Sequence, residues 1–181
     1  MMQMLTTHRL DCEPLVAGHA PLLFPELRNE ALYEFIPQDP PSGVDALTAR
    51  FERLENEPHS PDGTELWLNW AMRERATGAY IGTLEASVTP GRSADLAYFV
   101  FAPHQRRGYA LEGVGALVDY LFDRYRVGAV AAEIDTRNAA SISLVKALGF
   151  ACVARTANAD FFKGAPSDEY RFELAGPRAV R

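Results

Sequence analysis

The chain has 181 residues, 48% of them hydrophobic and 23% charged, with a net charge of −6. That is one domain's worth of chain, 1–181, with enough apolar residues to build a core, and its acidity argues against a nucleic-acid partner. Two cysteines, Cys12 and Cys152, and four scattered histidines give neither a disulfide framework nor a metal-ligand spacing. No apolar run is long enough to cross a bilayer. His8, Arg9, Asp11 and Glu13 interrupt any leader-like segment, so a cytoplasmic protein is expected.

Residues 5–15 read as a first strand, ended by Pro14, Gly18 and Pro21. Residues 20–32 read as one helix with Leu22, Leu23, Leu27 and Leu32 on one side, interrupted by Pro25. An aromatic group, Tyr33, Phe35 and Ile36, precedes a proline-rich loop. Residues 44–54 repeat Val44, Leu47, Phe51 and Leu54 at helical spacing. Strands over 65–73 and 79–88 are joined by a turn, which makes a hairpin. A turn at Thr89-Pro90-Gly91-Arg92-Ser93 leads into a strand over 95–101.

That strand runs into His104-Gln105-Arg106-Arg107-Gly108-Tyr109-Ala110, and a helix over 111–125 leads out, with Leu111, Val114, Val118, Leu121, Phe122 and Tyr125 on one face. The first N–H groups of a helix have no partner within it, and the helix dipole adds positive charge there. Two arginines and a glycine at such a place suit an anion, above all a phosphate. The loop lacks the Gly-Lys-Ser/Thr ending of nucleoside-triphosphate loops and the three spaced glycines of dinucleotide sites. A basic strand-to-helix turn that holds nothing is the plain alternative.

A short strand follows over 129–134, then Asp135-Thr136-Arg137-Asn138-Ala139-Ala140-Ser141 and a helix to Leu148, closed by Gly149. A strand starts over 150–154, a loop or bent strand covers 158–164, and a last strand covers 169–174. Hairpins, then a strand-helix-strand-helix unit, then more strands describe an α/β (α+β) fold: a mixed, mostly antiparallel sheet covered by helices.

Gln105-x-x-Gly108-x-Ala110, followed about thirty residues later by Asn138-x-x-Ser141 and Gly149-Phe150, resembles the two cofactor motifs of the GNAT acetyltransferase superfamily. Thr7-His8-Arg9-Leu10 with Pro14-Leu15, and Ala97-Tyr98-Phe99-Val100, look like the branch containing the ribosomal-protein N-terminal acetyltransferases. The resemblance implies splayed central strands and acetyl-CoA as cosubstrate, with no metal. It puts the pyrophosphate on the N–H groups of Arg106, Arg107, Gly108, Tyr109 and Ala110, with Gln105 leading the motif. The pantetheine amides would pair with the main chain of Phe99 and Val100, and Asn138 would hold the arm from the other side. An N-cap for the next helix is the other role open to Asn138.

Acetyl transfer to an amine needs a base, an oxyanion donor and a partner for the departing sulfur, and no covalent enzyme intermediate. The resemblance assigns the sulfur's partner to Ser141 and the base to Asp160. Glu133, on the strand lining the cleft, and Asp95 are further candidates for the base. The plain alternatives are a solvated loop acid for Asp160, an exposed or ion-paired strand residue for Glu133, and a serine simply tolerated at the third helical position for Ser141. The expected activity is acetyl transfer to a primary amine, on a protein N-terminus or a small molecule. A catalytically weak acyl-CoA-binding sensor or partner module is the alternative, and a nucleotide-binding fold is a third reading. Segments 32–43 and 157–168, with Tyr33, Phe35, Phe161 and Phe162, are expected to shape the acceptor site. The family also forms homodimers frequently.

Overall fold

Alternating apolar residues in the strands and a 3–4 spacing in the helices produce two cores, one on each side of a single sheet. The computed structural model describes residues 2–89 and 92–176. In chain order the strands are β1 (Leu5–Thr6), β2 (Leu10–Pro14), β3 (Leu66–Glu74), β4 (Tyr80–Thr89), β5 (Ser93–Val100), β6 (Ala129–Asp135), β7 (Ala151–Phe162) and β8 (Ala165–Ala175). The helices are α1 (Ala20–Leu27), α2 (Val44–Asn56), α3 (Tyr109–Tyr120) and α4 (Ala139–Ala147). The sheet runs β1-β2-β3-β4-β5-β6-β8-β7, and among the described residues only β5 and β6 pair in parallel.

One core joins Leu10, Trp70, Met72, Leu84 and Leu96 of the sheet to Val114, Leu117 and Val118 of α3, to Leu121 just beyond it, and to Val145 of α4. The other joins Leu23 and Leu27 of α1 and Leu47 and Phe51 of α2 to Ala71 and Phe101. Burial along α3 follows 114, 117, 118 and 121, so the expected stripe is shifted: Leu111 is exposed and Leu117 replaces it. The helix then widens into a π turn over Leu121–Tyr125.

Several expected elements are corrected. The first strand is two, β1 and β2, which pair with each other around a tight turn held by the Thr7 N–H on Leu10 O at 2.8 Å. The helix expected over 20–32 stops at Leu27, and Leu22 is exposed. Pro25 cannot donate to the residue four before it. Asn29 then caps a short 3-10 turn, Glu30–Tyr33, by accepting from Ala31 N at 3.1 Å. Of the loop or bent strand expected at 158–164, the structure shows the bent strand as far as Phe162, with Asn158 at φ 48. β7 runs unbroken to Phe162, taking up extra residues in irregularities at Cys152/Ala154 and Thr156/Asp160. Lys163 and Gly164, both with positive φ, form the two-residue turn into β8. Pro90 and Gly91 of the turn expected at 89–93 lie outside the described residues.

Candidate active site

The site begins where the parallel pair ends. β5 and β6 pair at Ser93/Ala129, Ala94/Val130 and Asp95/Ala131, and no further. Beyond that point β5 stays with β4 as far as Gly82/Val100, while β6 stays with β8 as far as Asp135/Glu169. A V-shaped opening therefore lies between residues 96–100 and 132–135. Ladder bonds alternate in direction along a strand. The Phe101 N–H donates to Ile81 O at 2.8 Å, so the same register turns the main chain of Phe99 toward β4 and that of Tyr98 and Val100 toward the opening. Phe99 O lies only 2.1 Å from where a Cβ on Gly82 would stand, which fits this direction. The main-chain position expected of Phe99 thus falls to Tyr98, because side and edge alternate residue by residue. Phe99 offers its ring instead, tilted against Tyr33 at 5.3 Å. The end of β5 is held by Gln105 Nε2, which donates to Val100 O at 2.9 Å.

The loop at that end has two left-handed residues, Arg106 (φ 59) and Gly108 (φ 79). Gly108 is the N-cap residue of α3, and no side chain caps the helix. Its first amides, from Tyr109 and Ala110, are therefore left for an anion. Arg106 and Arg107 are exposed beside them. The Tyr109 side chain is buried, its hydroxyl donates to Glu74, and the Arg9 guanidinium lies 4.4 Å over its ring. These residues fit the diphosphate of coenzyme A: bare amides, local positive charge and no Cβ at the turn.

Across the opening, Asn138 caps α4, its Oδ1 accepting from Ser141 N at 3.1 Å. The capping role open to it is thus filled, and its amide NH2 remains for a ligand. The loop before it is fixed by buried Asp135, which accepts from Arg137 Nη2 at 2.6 Å and Ser167 Oγ at 2.7 Å. Those bonds, the one from Arg137 first, hold its carboxyl at about 2. Ser141 lies beside the hydroxyl of Tyr98. That hydroxyl is buried and makes no hydrogen bond of good geometry among the described residues. Burial pushes the Tyr98 phenol up, and the Ser141 side chain partly offsets it. No tyrosine occupies α4, and a phenol reaches its N-terminus from β5 instead.

The expected bases are not all gathered here. Arg171 Nη1 donates to both Glu133 and Asp95, at 3.1 Å each, and Glu133 is exposed, so both acids belong to a surface ion cluster. Asp160 lies on β7, with β6 and β8 between it and β5, and its Oδ1 accepts from Phe161 N at 2.7 Å. Sequence reasoning passed over Glu85, on β4 opposite Ala97 of β5. With Thr83, Asn69, Tyr33, Phe99 and Arg50, Glu85 lines a cavity under α1 and α2. The cavity leaves about 20 Å³ for water centres, room for one or two waters. Burial pushes the Glu85 carboxyl up, opposed by the field of Arg50. Among the described residues, Thr83 Oγ1 there is buried without a partner. The available signal was an acid between Leu84 and Ala86 in a strand with no other charged residue.

Of the aromatic residues expected around the acceptor, Tyr33 and Phe162 are buried and Phe161 is exposed. The two segments expected there do meet: Lys163 Nζ donates to Tyr33 O at 2.5 Å and Ile36 O at 2.8 Å. Among the described residues no helix is long and apolar enough to cross a membrane, and no group of three or more His, Cys, Asp or Glu could hold a metal ion.

The profile of the acetyltransferase (GNAT) domain matches residues 9–151. An uncharacterized N-acetyltransferase, YoaA of Bacillus subtilis, is 27% identical over 113 residues, 61% of this chain and 64% of that protein. An uncharacterized Bacillus subtilis protein, YkkB, is 28% identical over 104 residues, 48% of this chain and 59% of that protein. Both matches thus span less than two thirds of those relatives. Ribosomal-protein-S5-alanine acetyltransferase from Vibrio fischeri superposes with TM-score 0.84 at 16% identity, over 98% of both chains. Spermidine N-acetyltransferase from Vibrio cholerae, solved with CoA and spermine, superposes with TM-score 0.79 at 17% identity, over 93% of this chain and 96% of that one. At such identities these structures establish the fold.

Proposed function

Because the chain belongs to the GNAT acetyltransferase domain family, we propose that it transfers an acetyl group from acetyl-CoA to a primary amine, on a protein N-terminus or a small molecule. The observation that carries this is the joint geometry of β5: its free edge opens after Asp95/Ala131 and its end leads into an uncapped helix. The amides of residues 106–110 hold the diphosphate. The main chain of Tyr98 and Val100 pairs with the pantetheine amides as an added strand would, and Asn138 closes on the arm from α4. Bound there, acetyl-CoA supplies a thioester already activated toward an amine.

The chain's residues then divide the proton work between the two faces of the sheet. On the α2 face Glu85, its carboxyl raised by burial, takes the proton of the incoming amine directly or through one water. On the α3 face the Tyr98 hydroxyl, with Ser141 beside it, donates to the departing sulfur. Asp160, two strands away from β5, and Glu133, engaged by Arg171, keep a weaker claim to the base. The surface engagement of Glu133 also favours the second reading, an acyl-CoA-binding module without transfer. We place the protein in the cytoplasm, in keeping with an exposed free Cys152.

The test is acetyl-CoA turnover against a panel of amines and peptide N-termini, following release of free thiol. Release above the rate of hydrolysis supports transfer. CoA binding without release for any amine supports the module.

A further inference from the structure

The anion loop is gripped from outside by one side chain. Arg9, in the turn between β1 and β2, donates from Nη1 to Arg107 O at 2.9 Å and from Nε to Glu112 Oε2 at 2.6 Å. Its guanidinium carbon lies 4.4 Å over the Tyr109 ring, and its Nη2 is 3.3 Å from where a Cβ on Gly108 would stand. A single residue therefore touches four positions of the loop and the first turn of α3. Arg9 is itself fixed. Its N–H donates to Glu112 Oε1 at 2.7 Å, the Thr7 hydroxyl donates to the same oxygen at 2.6 Å, and its carbonyl accepts from Arg75 N at 2.9 Å.

A peptide unit is planar, so the carbonyl of residue 107 and the N–H of residue 108 point in opposite directions. Holding Arg107 O inward on Arg9 turns the Gly108 N–H outward, toward the anion. Nothing in a glycine's own preferences secures that orientation, and Arg106 sits in a left-handed conformation that needs support from its surroundings. Arg9 also neutralises Glu112, a carboxylate in the first turn of α3 that would otherwise repel a diphosphate. Burial pushes the Glu112 carboxyl up, but the bonds from Thr7 and Arg9 together hold it below its ordinary value, so it stays charged and paired.

We propose that Arg9 is the positioning residue of the diphosphate loop, aiming the Gly108 N–H by holding the Arg107 carbonyl. This rests on the placement of coenzyme A proposed above. The test compares wild type, Arg9→Met and Arg9→Lys for binding of CoA by calorimetry and of S-acetylpantetheine, which has no diphosphate, by ligand-observed NMR. Losing one well-aimed donor to a charged group weakens CoA by about tenfold or more in Arg9→Met, while S-acetylpantetheine binds within twofold of wild type. Lysine keeps the charge but cannot reach both Arg107 O and Glu112 at once, so Arg9→Lys is as weak as Arg9→Met.

Three results overturn the role of Arg9 alone: CoA affinity in Arg9→Met within twofold of wild type, full rescue by lysine, or equal losses for both ligands. A wild-type protein that fails to bind CoA overturns the site itself.

Discussion

The two faces of β5 are finished in opposite ways. On the α3 face side chains brace the main chain of the loop: Gln105 holds Val100, Arg9 holds Arg107, and Glu112 takes three hydrogen bonds from Thr7 and Arg9, while the Tyr98 hydroxyl and His104 Nδ1 have no partner among the described residues. On the α2 face, Glu85 and Thr83 line a cavity closed by α1 and α2, and among the described residues Thr83 Oγ1 is buried without a partner. A rigid cradle suits a ligand that never changes, and unsatisfied polar groups suit one that must arrive to complete them. Under the proposed function, that difference separates a braced cofactor side from a waiting acceptor side.

Mutations can break this contrast one side at a time. The largest expected effect is on the cradle: Gly108→Val abolishes measurable CoA binding while circular dichroism reports a folded protein. A β-branched residue at φ 79 is strained, and its Cβ would press on Arg9 Nη2 at 3.3 Å. CoA affinity equal to wild type would remove the cofactor from this loop.

Next comes the waiting side. Glu85→Gln lowers kcat by about 10²–10³-fold with CoA affinity unchanged. Because burial raises this carboxyl in the folded state, its ionisation costs stability as pH rises above the ordinary glutamate range. Glu85→Gln therefore melts higher than wild type at pH 7, and the gain disappears below about pH 4. A drop in kcat without that pH-dependent gain would make Glu85 a structural residue.

Tyr98→Phe is smaller, about a tenfold loss in kcat, since Ser141 remains to meet the sulfur. Removing a buried hydroxyl without a partner leaves stability equal or slightly higher. Unchanged kcat across pH 6–9 would return the acid role to Ser141 or to solvent.

The smallest expected effect on catalysis, and a purely structural one on the far wall, is Asp135→Asn. It costs about 2 kcal/mol at pH 7 by removing the charge that pairs with Arg137 and leaving one amide oxygen where two carboxylate oxygens accept from Arg137 and Ser167. The carboxyl is held at about 2 when folded, so this stabilisation is complete above the unfolded value near 4 and is lost as pH falls toward 2. Denaturation curves of mutant and wild type should converge there, and a constant gap down to pH 2 would deny the linkage.

Cys12 offers a simpler contrast between inside and outside. Burial, with the field of Asp11 adding to it, pushes its thiol up to about 12, so a thiol reagent at pH 8 should label Cys152 and leave Cys12 untouched until the protein unfolds.

Local chemistry explains which parts of the site were readable in advance. The Gln105-x-x-Gly108-x-Ala110 loop, the Asn138 cap and the Gly149 terminus depend on neighbours within a few residues, and each stands where it was expected. Phe99 was misplaced by a single position, because strand alternation turns on a register set by β4. Glu133 looked like a cleft residue until Arg171, 38 positions away, was found bonded to it. Glu85, Tyr98 and Arg9 drew no site assignment, since each acquires its surroundings from another element: α2 for Glu85, the start of α4 for Tyr98, and the loop 98 residues downstream for Arg9.

By itself, then, the amino-acid order determined most element types, the strand-to-helix loop and the family motifs, all of which follow from short-range geometry and turn chemistry. Only the tertiary structure decided where β5 and β6 part, which face of β4 carries a buried acid, and what grips the loop from behind. The reason is physical. Burial and hydrogen-bond partners belong to pairs of residues far apart in the chain, and a carboxylate or phenol takes its role from that company.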